Sequence, residues 1–392
     1  MSVGAAVLER AQAQADEFVA LRRDIHAEPE LGFQETRTSA LVAERLRWYG
    51  YEVSLGLGGT GVVGTLRRGS GGKRLGIRAD MDALPIVEAT GLAYASRRQG
   101  VMHACGHDGH TAMLLAAARQ IAEHGRFSGT LHLIFQPAEE GQGGALRMIE
   151  DGLFDRHPCD AVFALHNAPS FPQGQLLFCD GAAMASSDYA KITLRGNGGH
   201  GAFPHQAADP VVAAASLVMA LQTVVARNID PLKTAVVTVG TLQAGTASNV
   251  IPGTASMELS IRALDRQVRD TLEQRIRELA AAQAASFGVA AEVDYQRRYP
   301  VLVNTPAETA FARQVALELV GPEQCQLNVP PVTGSEDFAF MLEKVPGCYL
   351  MIGNGDGADS RMCHHPGYNF NDANMAVGSA YWALLVERFL AS

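Results

Sequence analysis

Nine residues, Met102-His103-Ala104-Cys105-Gly106-His107-Asp108-Gly109-His110, hold a thiol, three imidazoles and a carboxylate beside two glycines. Thiolates and neutral imidazoles are donors that Zn, Mn, Co or Ni ions take. The segment reads as part of a transition-metal site. A buried cysteine among solvated histidines is the plain alternative. A nucleophilic Cys–His pair is a third. That pair leaves the adjacent Glu139 and Glu140, and His166, without a role.

Those further residues fall where α/β proteins place function. Apolar runs Leu75–Ala79, Leu131–Phe135 and Ala161–Leu165 read as buried strands. They end at Asp80, at Glu139-Glu140 and at His166, and ligands collect at the carboxyl ends of such strands. If the Glu pair is extended, its carboxylates point apart, one to a metal and one to substrate. A charged surface turn is the blander outcome. His364 and His365 lie in a loop before the last helix.

Helices are expected at 5–28, 36–50, 109–124 and 143–151, with short strands at 51–55, 61–66 and 74–79. Strands alternating with helices predict an α/β fold around a mostly parallel sheet. From 187 the order becomes strand (187–195), helix (207–227), two strands (234–243, 254–263), helix (265–287) and strand (291–298). That is a ferredoxin-like α+β unit. We expect it to be inserted, with residues 1–184 and 300–392 forming the catalytic domain and 185–299 the insert.

The 392 residues suit two domains, and a net charge of −9 argues against a nucleic-acid partner. Six scattered cysteines without a CxxC pair argue against a disulfide framework and for a reducing compartment. No signal peptide is apparent, and no apolar run is read as approaching a membrane span. The expectation is a cytoplasmic protein.

Four segments in order carry a resemblance: Arg78-Ala79-Asp80-Met81-Asp82-Ala83-Leu84-Pro85, the Cys105/His107 segment, Gln136-Pro137-Ala138-Glu139-Glu140 and Leu165-His166-Asn167. Gly199–His205, Asn249-Val250-Ile251-Pro252 and Gly334-Ser335-Glu336-Asp337-Phe338 extend it. The chain resembles the M20 metallopeptidase/amidohydrolase family, in its N-acyl-amino-acid amidohydrolase branch, from about 20 to 380.

The resemblance implies two divalent metal ions (Mn, Zn, Co or Ni) held by Cys105, His107, Glu140, His166 and His364. It implies Glu139 as general base and Asp82 as support for the metal site. His364 is selected over His365 by its spacing from Pro366, and Cys363 and His365 stand beside it as possible competitors. His103 and His110 are not expected to bind metal, and Asp108 is expected either to orient a ligand or to sit in a helix's first turn. The resemblance further implies that His200 stabilises an oxyanion in the partner subunit of a homodimer, with His205 a weaker candidate. Asn249 and Arg262 would hold the substrate carboxylate, and Gly334 and Ser335 would line the pocket. The implied reaction is amide hydrolysis of small N-acyl amino acids, hippurate-like or N-acetyl. A metallo-dipeptidase or aminopeptidase, or a non-catalytic metal-binding protein, is the alternative.

Overall fold

A computed structural model describes residues 2–355, 357 and 360–391. Contacts divide the chain into two units. The first holds residues 1–181, 303–330 and 337–392, and the second 182–302 and 331–336.

The first unit is mixed α/β. Its eight-stranded sheet runs Glu52–Leu57, Gly61–Arg68, Gly129–Gln136, Arg74–Asp80, Ala161–Pro172, Gly347–Gly355, Leu176–Leu177, Cys325–Gln326. The middle four strands pair in parallel, with Asp80 opposite Gln136 and Met351 opposite His166. Strands Gly129–Gln136 and Arg74–Asp80 are buried almost throughout, as expected of strands covered on both faces. Helices Val3–Ala27, His107–His124 and Asn374–Phe389 pack on one another. The middle one is buried on nearly every side, and its alanines permit that closeness.

The second unit has the order strand Ser186–Arg195, helix Pro210–Thr223, strands Ala235–Ala244 and Thr254–Ala263, helix Arg266–Ser286, strand Ala290–Tyr299. The sheet is antiparallel, with Thr254–Ala263 and Ser186–Arg195 central. This is the ferredoxin-like arrangement. Asp209 and Asp265 cap the two helices, accepting backbone N–H bonds that each first turn leaves unpaired. Apolar positions alternate inward along Thr254–Ala263 and meet both helices in a separate core.

Four sequence expectations change. The helix after the Cys/His segment starts at His107 rather than 109, because Gly106 takes a φ of 89° and turns the chain into it. Glu139 and Glu140 are not extended: Ala138 adopts φ 52°, and Glu139–Gln142 forms a short helical turn. Residues 331–336 join the second unit, because Ala185 N donates to the carbonyls of Val332 and Gly334. Finally, Pro210–Asn228 is long and apolar enough to cross a membrane, although no run was read that way. Here Ala213, Ala214, Leu217 and Leu221 are buried in the unit's core, and Val211, Val212 and Met219 are exposed.

Candidate metal centre

Backbone geometry gathers the chemistry-bearing side chains of the first unit beside the ends of Arg74–Asp80 and Gly129–Gln136; His166 does not end its strand, as its apolar run suggests, but lies midway along Ala161–Pro172. The Arg74–Asp80 strand puts Arg78 and Asp80 on one face, two residues apart. Arg78 donates to Asp80 at 2.7 Å, to Gln136 at 2.8 Å and to Asp337 at 3.2 Å, all buried. Asp337 also accepts from Ala145 N, which anchors the helix after the Glu139 turn. Gly109 lets that corner close, since a Cβ there would lie 2.4 Å from the Phe370 ring.

Within this frame Cys105 Sγ lies 3.4 Å from His166 Nε2, and His364 Nε2 lies 3.1 Å from Glu140 Oε1. His107 Nε2 lies 4.0 Å from the same Glu140 oxygen. Donor atoms of Cys105, Glu140 and His364 fall within 4.8 Å of one another, and so do those of His107, Glu139 and Glu140. A third such group is Asp80, His107, His110 and His166. The five candidate ligands and Glu139 are thus brought together.

The donors fit divalent cations. Asp82 accepts from His107 Nδ1 at 3.2 Å, so Nε2 is the nitrogen left for an ion to take in exchange for a proton, buried and without a hydrogen-bond partner among the described residues. His166 donates Nδ1–H to the carbonyl of Asn167 at 2.8 Å, so its Nε2 lone pair faces Cys105. Metal-bound histidines are held this way, with the second nitrogen engaged. Burial, then the neighbouring His110, push the His166 pKa well below its ordinary value, so the ring is neutral and able to ligate. Burial works against a charged His107 too, but Asp80 and Asp82 outweigh it and hold its pKa well above the ordinary value. Two carboxylates, a thiol and three imidazoles in one cluster, buried except for the exposed His364 and half-buried Glu140 and His166, call for positive charge.

Asp82 has a second contact: its Oδ2 accepts from Glu140 N at 2.9 Å. One carboxylate therefore sets both His107 and the Glu turn. His110 makes no Cys105 contact; Nδ1 meets Asp80 at 2.6 Å and Nε2 accepts from Asn167 N at 3.0 Å. Asp108 orients neither His107 nor Cys105. It turns away to His26 at 2.8 Å and Arg22 at 3.3 Å, because the helix places residues 107 and 108 on different sides. His103 is buried, with neither ring nitrogen hydrogen-bonded to a described residue. His365 accepts from Gly367 N within its own loop.

Two further residues brace the cluster, Asn167, which the sequence marks only as the neighbour of His166, and Tyr368, which it does not mark at all. Asn167 donates to the carbonyl of Cys105 at 2.6 Å and accepts from Tyr368 at 2.8 Å. The adjacency of Asn167 to His166 was the available signal.

The remaining candidates lie in the second unit. His200, exposed, is on the short strand Gly199–His200, paired with Val250–Ile251; its Nδ1 accepts from Ala202 N. Asn249 is its neighbour there, accepting from Gly201 N. His205 sits in the short helical turn Pro204–Gln206. Arg262 is half-buried and donates to Ser187 at 2.8 Å. Gly334 accepts from Ala185 N, and Ser335 is half-buried beside it.

Residues 76–388 match Peptidase family M20/M25/M40. The chain belongs to that family. It is therefore a metal-dependent hydrolase of amide bonds, as the M20 resemblance implied. A hippurate hydrolase of Campylobacter jejuni is 44% identical over 95% of this chain and 97% of its own. An N-acetyl-L-cysteine deacetylase of Bacillus subtilis is 38% identical over 96% of this chain and 89% of its own. A Bacillus subtilis crystal structure described as a dinuclear metal binding peptidase from the M20 family superposes with a TM-score of 0.84 at 32% identity, covering 97% and 99% of the two chains. An M20 chain with this donor cluster has a site for two divalent metal ions.

Proposed function

We propose that this M20 enzyme hydrolyses the amide bond of N-acyl amino acids, hippurate-like or N-acetyl, releasing a carboxylic acid and a free amino acid. The observation that carries the reading is the convergence of Cys105, His107, Glu140, His166 and His364 with Glu139. Those five residues would hold the two ions, of Mn, Zn, Co or Ni. Bound there, the ions polarise the amide carbonyl and make a water more acidic.

Glu139 takes the proton from the attacking water and delivers it to the leaving nitrogen. Asp82 keeps the His107 tautomer fixed and the Glu139–Glu140 turn in place. His200 of a partner subunit donates to the developing oxyanion, which makes the enzyme a homodimer. Asn249 and Arg262 grip the free carboxylate of the leaving amino acid, for which a planar guanidinium is suited. Gly334 and Ser335 line the substrate pocket. The second unit serves as a lid that closes over substrate. The cysteine pattern, without a CxxC pair, supports a reducing, cytoplasmic setting.

The test is a matrix of benzoyl-, acetyl- and indole-acetyl-amino acids, with dipeptides beside them, against stripped protein given each ion in turn. Turnover of acylated amino acids with a restored ion is expected. Turnover of dipeptides alone, or bound metal without hydrolysis of either class, overturns the proposal.

A further inference from the structure

Cys363 contacts the proposed ligand Cys105, and the mechanism leaves its thiol unused. Its loop is pinned to the metal segment by His364 N donating to the carbonyl of Ala104 at 2.7 Å. His364 itself holds a φ of 68°, which turns the chain sharply at that point. The Cys363 Sγ lies 3.9 Å from the carbonyl oxygen of Cys105 and 3.8 Å from Asn167 Oδ1. Cys363 thus touches the residue that carries the other thiol, and Asn167 contacts both cysteines. Cys105 is 8% exposed and Cys363 is half-buried, so a small oxidant meets Cys363 first.

We propose that Cys105 and Cys363 form a reversible disulfide under peroxide, and that this bond switches the enzyme off by removing a metal ligand. The consequence for metal rests on the reading of Cys105 as a ligand; the bond itself does not.

The Cys363 sulfur attacks a peroxide oxygen. The O–O bond breaks, the departing hydroxide takes up the thiol proton as water, and Cys363 carries a sulfenic acid. The Cys105 sulfur then attacks that sulfur. The S–O bond breaks, the S–S bond forms, and hydroxide leaves, taking a proton from solvent to become a second water as the Cys105 thiolate gives up its place as a metal ligand. The thiols lose two electrons and peroxide gains them. Cys105 then has no thiolate to offer, and five donors become four. Transient disulfides of this kind are the sort that reducing compartments permit.

The experiment uses the full chain loaded with metal. Hydrogen peroxide is added, thiols are capped, and an unreduced digest is read by mass spectrometry while a coloured chelator records released metal. A peptide joining Cys105 to Cys363 is expected, with thiols falling from six by two per chain and mass falling by about 2 Da. Metal release should track the link, and dithiothreitol with fresh metal should reverse both. Cys363→Ser, with Cys363→Ala as a second variant, should slow release by about tenfold or more. Sulfinic acid at either cysteine without a link overturns the proposal, as does release from both variants at the parental rate. A protein that carries no metal before peroxide defeats the ligand reading instead, and the linked peptide still judges the thiol pair.

Discussion

Asp82 joins His107 and Glu140 through its two oxygens, one accepting from an imidazole at 3.2 Å and the other from a backbone amide at 2.9 Å. Two proposed ligands from separate segments are thereby set by a side chain that need not touch an ion. Asp82→Asn should weaken metal affinity by about 10–100-fold, since an amide cannot replace the charge that fixes the His107 tautomer. Competition with a chelator at fixed pH measures this. Affinity equal to the parent's would remove Asp82 from the support role. Stripping metal from the parent should also lower Tm, because the ions bind only the folded cluster.

Glu139→Gln separates binding from chemistry. It keeps the volume and removes the base. Metal content should stay at the parental level while kcat falls by about 10²–10⁴-fold. Turnover near the parental rate, with metal bound, would reassign the base.

Gly106→Ala probes the corner that starts the His107 helix. A Cβ there would lie 2.4 Å from Asn167 Nδ2 and 2.5 Å from the Tyr368 hydroxyl, on backbone with φ of 89°. Left-handed backbone and overpacking together should destabilise by about 2–4 kcal/mol. Denaturant unfolding checks the size. An unchanged midpoint would mean that Asn167 and Tyr368 can move aside.

His132 and His157 predict acid sensitivity away from the metal cluster. Both approach the Thr65 hydroxyl, at 2.9 and 3.5 Å, with ring centroids 5.2 Å apart. Burial, then the charge of the other ring, bring His132 down to about 4, and burial followed by Arg156 lowers His157. The unfolded chain therefore takes up protons first. Stability is full above pH 6.5 and is lost as pH falls from there toward about 4, by about 3 kcal/mol from His132. Metal-free protein melted across that range should lose Tm more steeply than His132→Asn does. Parallel curves would dismiss the pair as the cause.

His200 is testable by complementation. Neither His200→Ala nor Glu139→Gln should turn over substrate well alone. Mixed dimers should regain activity if His200 serves the neighbouring subunit's site. A mixture as inactive as its parts would confine His200 to its own chain or to no catalytic role.

Much of this architecture is legible in residue order. Three apolar runs give the strands, and the first two stop at Asp80 and just before the Glu pair, but the run through His166 continues as strand to Pro172 instead of ending there. The insert shows in the change from buried runs to alternation, as along Thr254–Ala263. What escapes is set by single backbone angles and distant partners. Nothing local announces that Ala138 turns left-handed, so the Glu pair reads as extended. Asp108 looks like a companion of His107 until its partners His26 and Arg22, more than 80 residues earlier, are seen. Residues 331–336 fall by sequence in the catalytic domain, and their bonds to Ala183 and Ala185 place them elsewhere.

That last segment bears on dissecting the molecule. A gene fragment ending at residue 302 would strip Ala185 N of both its carbonyl acceptors, Val332 and Gly334, and Met184 of its bridge to Val332. The ferredoxin-like piece is thus completed by six residues encoded downstream of its own last strand. Excising it cleanly would require a graft, with 331–336 rejoined through an artificial tether.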